Sequence, residues 1–594
     1  MKSFFKILLA GFIGTLIALL LSGLIFGAIL GSIASFSTKK TYNIPSSAIL
    51  NINFDSILSE QGSGDQFQLQ IQSLNSIGAS NSSKIGIRKM LQVIDAAAKD
   101  PSIKFIYVNA GNINAEGITL VEELRNALIR FRKSGKPVIS YAENFSQQGY
   151  YLASASDKIY FDSMGMNELL GTSSQVFFLK DILNKLDINI QLIRHGKYKS
   201  AGEQFICNDM TPANREQNTV MVKSIWNTIA SSICESRDID YNTFNDKVNN
   251  LELTTAQELL DAKLIDGIVS RNELNKKLCD LFGVDKVEKL AFVTPSNYAD
   301  ARIKPNIRTK NNIAVIYAAG NIVNGDGKGI SEDKFADIIS KVTKDSTIKA
   351  VVLRVNSPGG SAQAAETIRK ALTLLENTKP VIASFGDYAA SGGYWISAGA
   401  DKIFTSDLTI TGSIGVFSMV PSFGDAIRKN LHVNPVAVIS NNHSDMLGGM
   451  RPLNDLEVKS MQKGVEVVYN KFVSIVAEGR NMSAAQVDSI GQGRVWTGAD
   501  ALKVGLANTY GGLNDAIHYA VSAANLSDDD YDVVEYPKVK SKMEEIMDTF
   551  NLASASTKVL AGDINAEQYF KSMYNSLIQN KGVYAELPYV YIIK

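Results

Sequence analysis

The sequence predicts an α/β protein made of two tandem copies of one parallel-sheet domain, set behind an apolar N-terminal helix. Three observations lead there. Runs with strand and helix character alternate at a pace that requires crossover connections, and so a largely parallel sheet. Four short segments recur in the same order at a spacing of 242–245 residues. The stretch Ile7 to Phe36 carries no charged residue.

At 594 residues the chain exceeds what one core organises. Lys+Arg and Asp+Glu number 60 each, so the net charge is zero and there is no electrostatic footprint for nucleic acid. Cys207, Cys234 and Cys279 are too widely spaced for a metal motif or a disulfide framework. Any Ser-His-Asp scheme must draw on only His195, His432, His443 and His518.

Taken in order, residues 1–46 form a membrane anchor and linker, with the span at about 7–36. A helix of that length exceeds the ~30 Å hydrocarbon layer, whereas a cleaved signal peptide has an apolar core of about 7–15 residues. Lys2, Lys6 and the amino terminus outweigh Lys39 and Lys40 by one charge, which favours an N-in arrangement with the body outside. Ile49–Phe54 reads as the first strand, and 57–84, rich in Ser, Gln and Gly, as a mobile surface loop. Helical spacing over Ile87–Ala98 precedes a strand at Ile103–Asn109, a helix over about Gly117–Lys133 and a strand at Pro137–Tyr141.

The second half repeats this order. Ile348–Leu353 matches Ile103–Val108, Lys379–Ile382 matches Lys136–Ile139, Ser397–Ile403 matches Ala153–Ile159, and Thr497–Leu502 matches Thr255–Leu260. Register held over so long a stretch means duplication. The first copy therefore spans 47–295, a Pro-containing linker 296–310, the second copy 311–537, and a helical C-terminal tail 538–594. In the tail, Met543–Leu552 and Ala566–Gln579 have amphipathic spacing.

The copies differ where chemistry would reside. In the second copy the run Val381–Phe385 leads into Gly386-Asp-Tyr-Ala-Ala-Ser-Gly-Gly393, followed by helix-prone Tyr394–Ala400. A strand entering a tight turn that opens a helix sets a hydroxyl, here Ser391, beside free backbone amides and a positive dipole end. A plain structural turn also carries such residues. In the first copy Ser391 corresponds to Gln147 or Gln148, so the hydroxyl is missing. Asn356-Ser-Pro-Gly-Gly360 likewise faces an altered loop, Asn109–Ile113. Its glycines allow close approach of backbone N–H groups to a ligand, which suits the second half of an oxyanion hole paired with the Gly392 amide; an ordinary strand–helix turn carries the same residues.

The reverse asymmetry occurs at Arg194-His-Gly-Lys-Tyr-Lys-Ser-Ala201, whose counterpart near Ile439–Asp445 has no lysine. One copy holds the lysine and the other the serine, which suggests one composite site. A lysine replaces histidine as general base when desolvation lowers its pKa, and it needs no carboxylate to fix a tautomer.

Ser357–Gly360, Ala389–Ser397, Thr411–Val416 and Gly196–Ala201 together resemble the signal peptide peptidase A family of membrane-anchored bacterial serine proteases, in its long, internally duplicated form. The resemblance covers nearly the whole chain. It implies a Clp protease/crotonase-like fold in each copy, Ser391 as nucleophile and Lys199, rather than Lys197, as general base. It also implies Ser413 as the hydroxyl that orients Lys199, and oxyanion donors at Gly392 and at Gly359 or Gly360. Gly202 and Gln204 depart from the Val and Pro usual after the lysine motif, which bears on local geometry.

By the same resemblance no metal or cofactor is used, and the chains assemble as homotetramers. The substrates are residual signal peptides and similar apolar peptides, and the catalytic body faces the periplasm from the inner membrane. The competing readings are a general oligopeptide- or misfolded-protein-degrading protease, a crotonase-type enzyme acting on an acyl-CoA, and a peptide-binding scaffold without turnover.

Overall fold

The computed structural model describes residues 42–62, 84–111, 113–306, 308–527, 529–538 and 583–587. The span expected at 7–36 and the tail helices expected at 543–552 and 566–579 lie outside them. Among the described residues no helix is long and apolar enough to cross a membrane.

Apolar, β-branched runs form the central strands. In Ile103–Asn109 and Ile348–Ser357 nearly every side chain is buried, as parallel strands covered by helices on both faces require. The first sheet runs Gly267–Ile268, Lys158–Phe161, Val138–Ala142, Ile103–Asn109, Ala48–Ile52, Phe292–Val293, with all pairs parallel. In the second sheet the corresponding strands keep the same neighbours: Thr509–Tyr510, Lys402–Thr405, Val381–Ala390, Ile348–Ser357, Asn312–Ala319, Asp532–Tyr536. The helices correspond as well. Ile87–Lys99 and Glu332–Lys344 each turn one apolar stripe inward, Met90, Leu91 and Ile94 in the former, Phe335, Ile339 and Val342 in the latter.

Among the described residues, only the second copy extends its sheet at the far end of the central strand. There Ile410–Gly412 pairs with Tyr388–Ala390 and in turn with Val495–Thr497. The first copy has two isolated bridges in that place, Phe145 with Asn167 and Met166 with Thr255.

A third sheet joins the copies. Its order is Ile330–Ser331, Ile322–Val323, Gly359–Ser361, Tyr584–Glu586, Val416–Ser422, Asn189–His195. The last strand comes from the first copy and pairs antiparallel with Val416–Ser422 along all seven residues. The copies are further clamped by a buried ionic cluster. Arg354 of the second copy bonds Glu60 at 2.7 Å and Glu123 at 2.8 Å, both from the first copy. Asp387 accepts from the Thr119 amide at 2.9 Å. Burial raises the carboxyls of Glu60, Glu123 and Asp387, while Arg354 pulls all three back toward the charged form.

Two expectations need correction. The stretch 57–84 is not loop at its ends: Ile57–Ser59 and Lys84–Gly86 pair in parallel, strands too short to read from alternation. The linker expected at 296–310 overlaps the helix Pro295–Arg302, which buries Tyr298 and Ala299. Thr294 caps this helix and Pro295 takes its first position, where a proline starts a helix instead of breaking it.

Candidate active site

The strand Val381–Ala390 delivers Ser391 to the start of the helix Gly392–Ser397. The turn is sharp enough to force Ser391 to φ +55°, ψ −114°, a conformation that a serine holds only where its surroundings impose it. They do so by bonds on both sides: the Ser391 amide donates to Gly412 O at 2.8 Å, and Trp395 N donates to Ser391 O at 2.8 Å. The hydroxyl is thereby fixed beside the first amides of the helix.

The antiparallel pairing of Asn189–His195 with Val416–Ser422 carries the following turn, Gly196–Ala201, into the second copy. Lys199 Nζ lies 2.9 Å from Ser391 Oγ, 3.0 Å from Ser413 Oγ and 3.3 Å from Ser413 O. Lys199, Ser391 and Ser413 are all wholly buried. Loss of water lowers the Lys199 pKa to about 7, opposed only by the charge of Glu586. An amine whose pKa is lowered toward neutrality, held by two hydroxyls, can accept the proton of Ser391. Lys197, by contrast, is exposed and lies over the Tyr198 ring.

Gly392 and Gly359 face each other across the same spot. A Cβ on Gly392 would stand 3.0 Å from the carbonyl oxygen of Ala585, and one on Gly359 would stand 2.1 Å from that oxygen and 2.8 Å from Gly392 N. Gly359 also has φ +108°, so any side chain there would be strained and would fill the space that a carbonyl occupies. Gly360 is the ladder partner of Ala585. The expected residues Ser391, Lys199, Ser413, Gly392, Gly359 and Gly360 thus come together in one chain.

Several positioning residues escaped the sequence reading. Arg194 donates to Lys199 O at 2.6 Å and to buried Glu203 at 2.7 Å. Gln217 donates to Tyr198 O and to Ser200 Oγ, and accepts from Val495 N. A Cβ on Gly493 would stand 2.5 Å from the Lys199 Cβ, so only glycine lets the 491–494 loop lie against the lysine. The Gly491-Gln-Gly493 pattern was the one available signal. Gly202, a departure from the expected motif, has φ +89° and caps the short helix Glu203–Ile206. Of the histidines, His195 stacks on Tyr469 and His443 bonds Glu457.

Compared with known proteins, the chain matches the model of peptidase family S49 twice, over residues 130–285 and 373–527, the spacing of the internal repeat. It is 34% identical over 529 residues to "Protease 4" of Haemophilus influenzae, covering 85% of this chain and 84% of that protein. It is 35% identical over 449 residues to "Protease 4" of Salmonella typhi, covering 74% and 72%. With "Serine protease SPPA, chloroplastic" of Arabidopsis thaliana it shares 30% identity over 505 residues, covering 83% and 72%.

Proposed function

The chain belongs to peptidase family S49 and is a serine protease carrying the family's domain twice; on that premise we propose that it is a membrane-anchored endopeptidase in which Ser391 and Lys199 form the catalytic dyad. The carrying observation is the 2.9 Å approach of a buried lysine amine to a strained serine hydroxyl. Neutral Lys199 takes the Ser391 proton as Oγ attacks the peptide carbonyl, the oxyanion forms against the amides of Gly392 and of Gly359 or Gly360, and the ammonium then protonates the leaving amine. Water repeats the sequence on the acyl-enzyme. Ser413 directs the amine without adding charge that would raise its pKa.

The proposed substrates are residual signal peptides and similar apolar peptides. One relative, from Enterococcus faecium, is named a putative signal peptide peptidase SppA. An anchor at 7–36 in the inner membrane with the body on the periplasmic side would hold the site where such peptides remain. A homotetramer is supported by an asymmetry between the copies. Asn189–His195 is paired, whereas its counterpart around 433–439 exposes Val433, Val436, Val438 and Ile439. Repetition of the same pairing between chains would cover these residues.

The test is cleavage of a synthetic signal peptide by the purified full chain. Ser391→Ala and Lys199→Ala each lower the rate at least a thousandfold while leaving the assembly mass unchanged. A fluorophosphonate labels Ser391 in the unaltered chain. Turnover close to that of the unaltered chain in either variant would sink the dyad.

A further inference from the structure

One strand of the third sheet belongs to neither copy. Tyr584–Glu586 lies between Gly359–Ser361 and Val416–Ser422, antiparallel to both. Leu587 N donates to Pro358 O at 2.7 Å, and Ala362 N donates to Val583 O at 3.3 Å, so the pairing continues past both ends of the strand. Ala585 is completely buried, belongs to the second copy's core cluster and is paired with Gly360, and its carbonyl oxygen lies in the space that a Cβ on Gly359 or Gly392 would crowd. Tyr584 packs its ring on Phe417. An extended segment bonded by its backbone to a sheet edge, with one carbonyl packed against the glycines beside the serine, is how a peptide substrate is presented to a serine nucleophile.

With this strand seated, neither Ser391 nor Lys199 has any exposed surface. No external peptide can reach them until the strand leaves. We propose that Val583–Leu587 is an intramolecular competitor, seated in the place and direction of the substrate, and that the groove takes peptides antiparallel to Gly359–Ser361 with a small residue where Ala585 lies. This rests on the dyad reading above. The charge of the following residue, Glu586, acts on Lys199 toward the ammonium form, which has no lone pair for the Ser391 proton, although burial still lowers the lysine overall. An apolar peptide brings no such charge.

The experiment uses the full chain, its Ala585→Arg variant and a chain ending at residue 582, assayed with a short apolar fluorogenic peptide. The buried methyl position has no room for a guanidinium, so Ala585→Arg expels the strand. Both altered chains should show a KM lowered about tenfold at unchanged kcat, and Ser391 should react with a fluorophosphonate faster by a similar factor. The unaltered chain should keep its full mass. Unchanged KM and labelling rate in both altered chains overturns the competitor. So does a new terminus at Ala585 that appears in the unaltered chain and not in Ser391→Ala, since the strand would then be a substrate. Failure of the dyad reading looks different: Ser391 stays unlabelled even in the shortened chain, and the proposal falls with it.

Discussion

Tyr150 and Tyr394 hold the same place in the two copies. Each is buried, and their hydroxyls donate to Leu264 O at 2.6 Å and Leu506 O at 2.7 Å. Three residues earlier the copies part. Gln147 is the first residue of an ordinary helix capped by Ser146, and its side-chain carbonyl accepts from Gly171 N at 3.0 Å. Ser391 stands at φ +55° with its hydroxyl turned to Lys199. In the first copy the turn is unstrained and an amide stands in the site; in the second the turn is strained and is flanked by the paired strands Ile410–Gly412 and Val495–Thr497. The first copy contributes instead the arm Asn189–Ala201, which carries Lys199 to Ser391 of its neighbour. The serine turn of one copy and the lysine arm of the other meet in an interior that neither copy encloses alone, and burial there supplies a low-dielectric setting.

The sharpest way to break this comparison is to restore the serine in the copy that lacks it. In Ser391→Ala/Gln147→Ser the new hydroxyl has no lysine beside it, so peptide cleavage should stay at least a thousandfold below the unaltered chain. Recovery of more than a few per cent would mean that the first copy retains a site of its own.

A smaller effect is expected where the second copy's loop touches the first copy's lysine. Gly493→Ala places a methyl against Lys199 and should lower kcat about 10–100-fold through misplacement of the amine, with the circular dichroism spectrum unchanged. An unaltered kcat would remove the loop from the positioning of the base.

The smallest and most specific effect concerns stability. The Lys199 pKa is lowered to about 7 from its ordinary value near 10.5, so the folded protein binds fewer protons than the unfolded chain between those limits. Stability from this group therefore rises with pH across about 7 to 10.5 and is lowest below pH 7. Lys199→Met, similar in length and uncharged, should be more stable than the unaltered chain at pH 6 by about 2–4 kcal/mol, with the gain shrinking toward pH 10. Denaturant melts at the two pH values measure it. A gain independent of pH would mean that the amine is not desolvated. The same titration predicts an ascending limb of kcat/KM centred near pH 7.

Much of this protein was legible in its residues. Apolar runs such as Ile103–Val108 and Ile348–Leu353 specify buried parallel strands because every position must tolerate a dry environment, and a repeated register exposes duplication without any contact being known. The pairing of a serine-bearing turn with a lysine-bearing turn could be inferred from what each copy lacked. The turn residues announced themselves through glycine, since only glycine leaves room for a carbonyl at Gly359.

The remainder depended on the packed chain. Nothing local to Gly196–Ala201 says that Lys199 will be dry; its burial follows from strand Asn189–His195 pairing across to Val416–Ser422 and from Gly493 closing over it. Helix propensity could not reveal that Tyr584–Glu586 lies on the Gly359–Ser361 edge, because a three-residue strand has no periodicity and takes its conformation from its neighbours. Sequence determined the elements and the serine- and lysine-bearing turns, whose signals are short in range. Tertiary structure decided which groups meet and at what proton affinity, because distance and desolvation belong to the assembled interior.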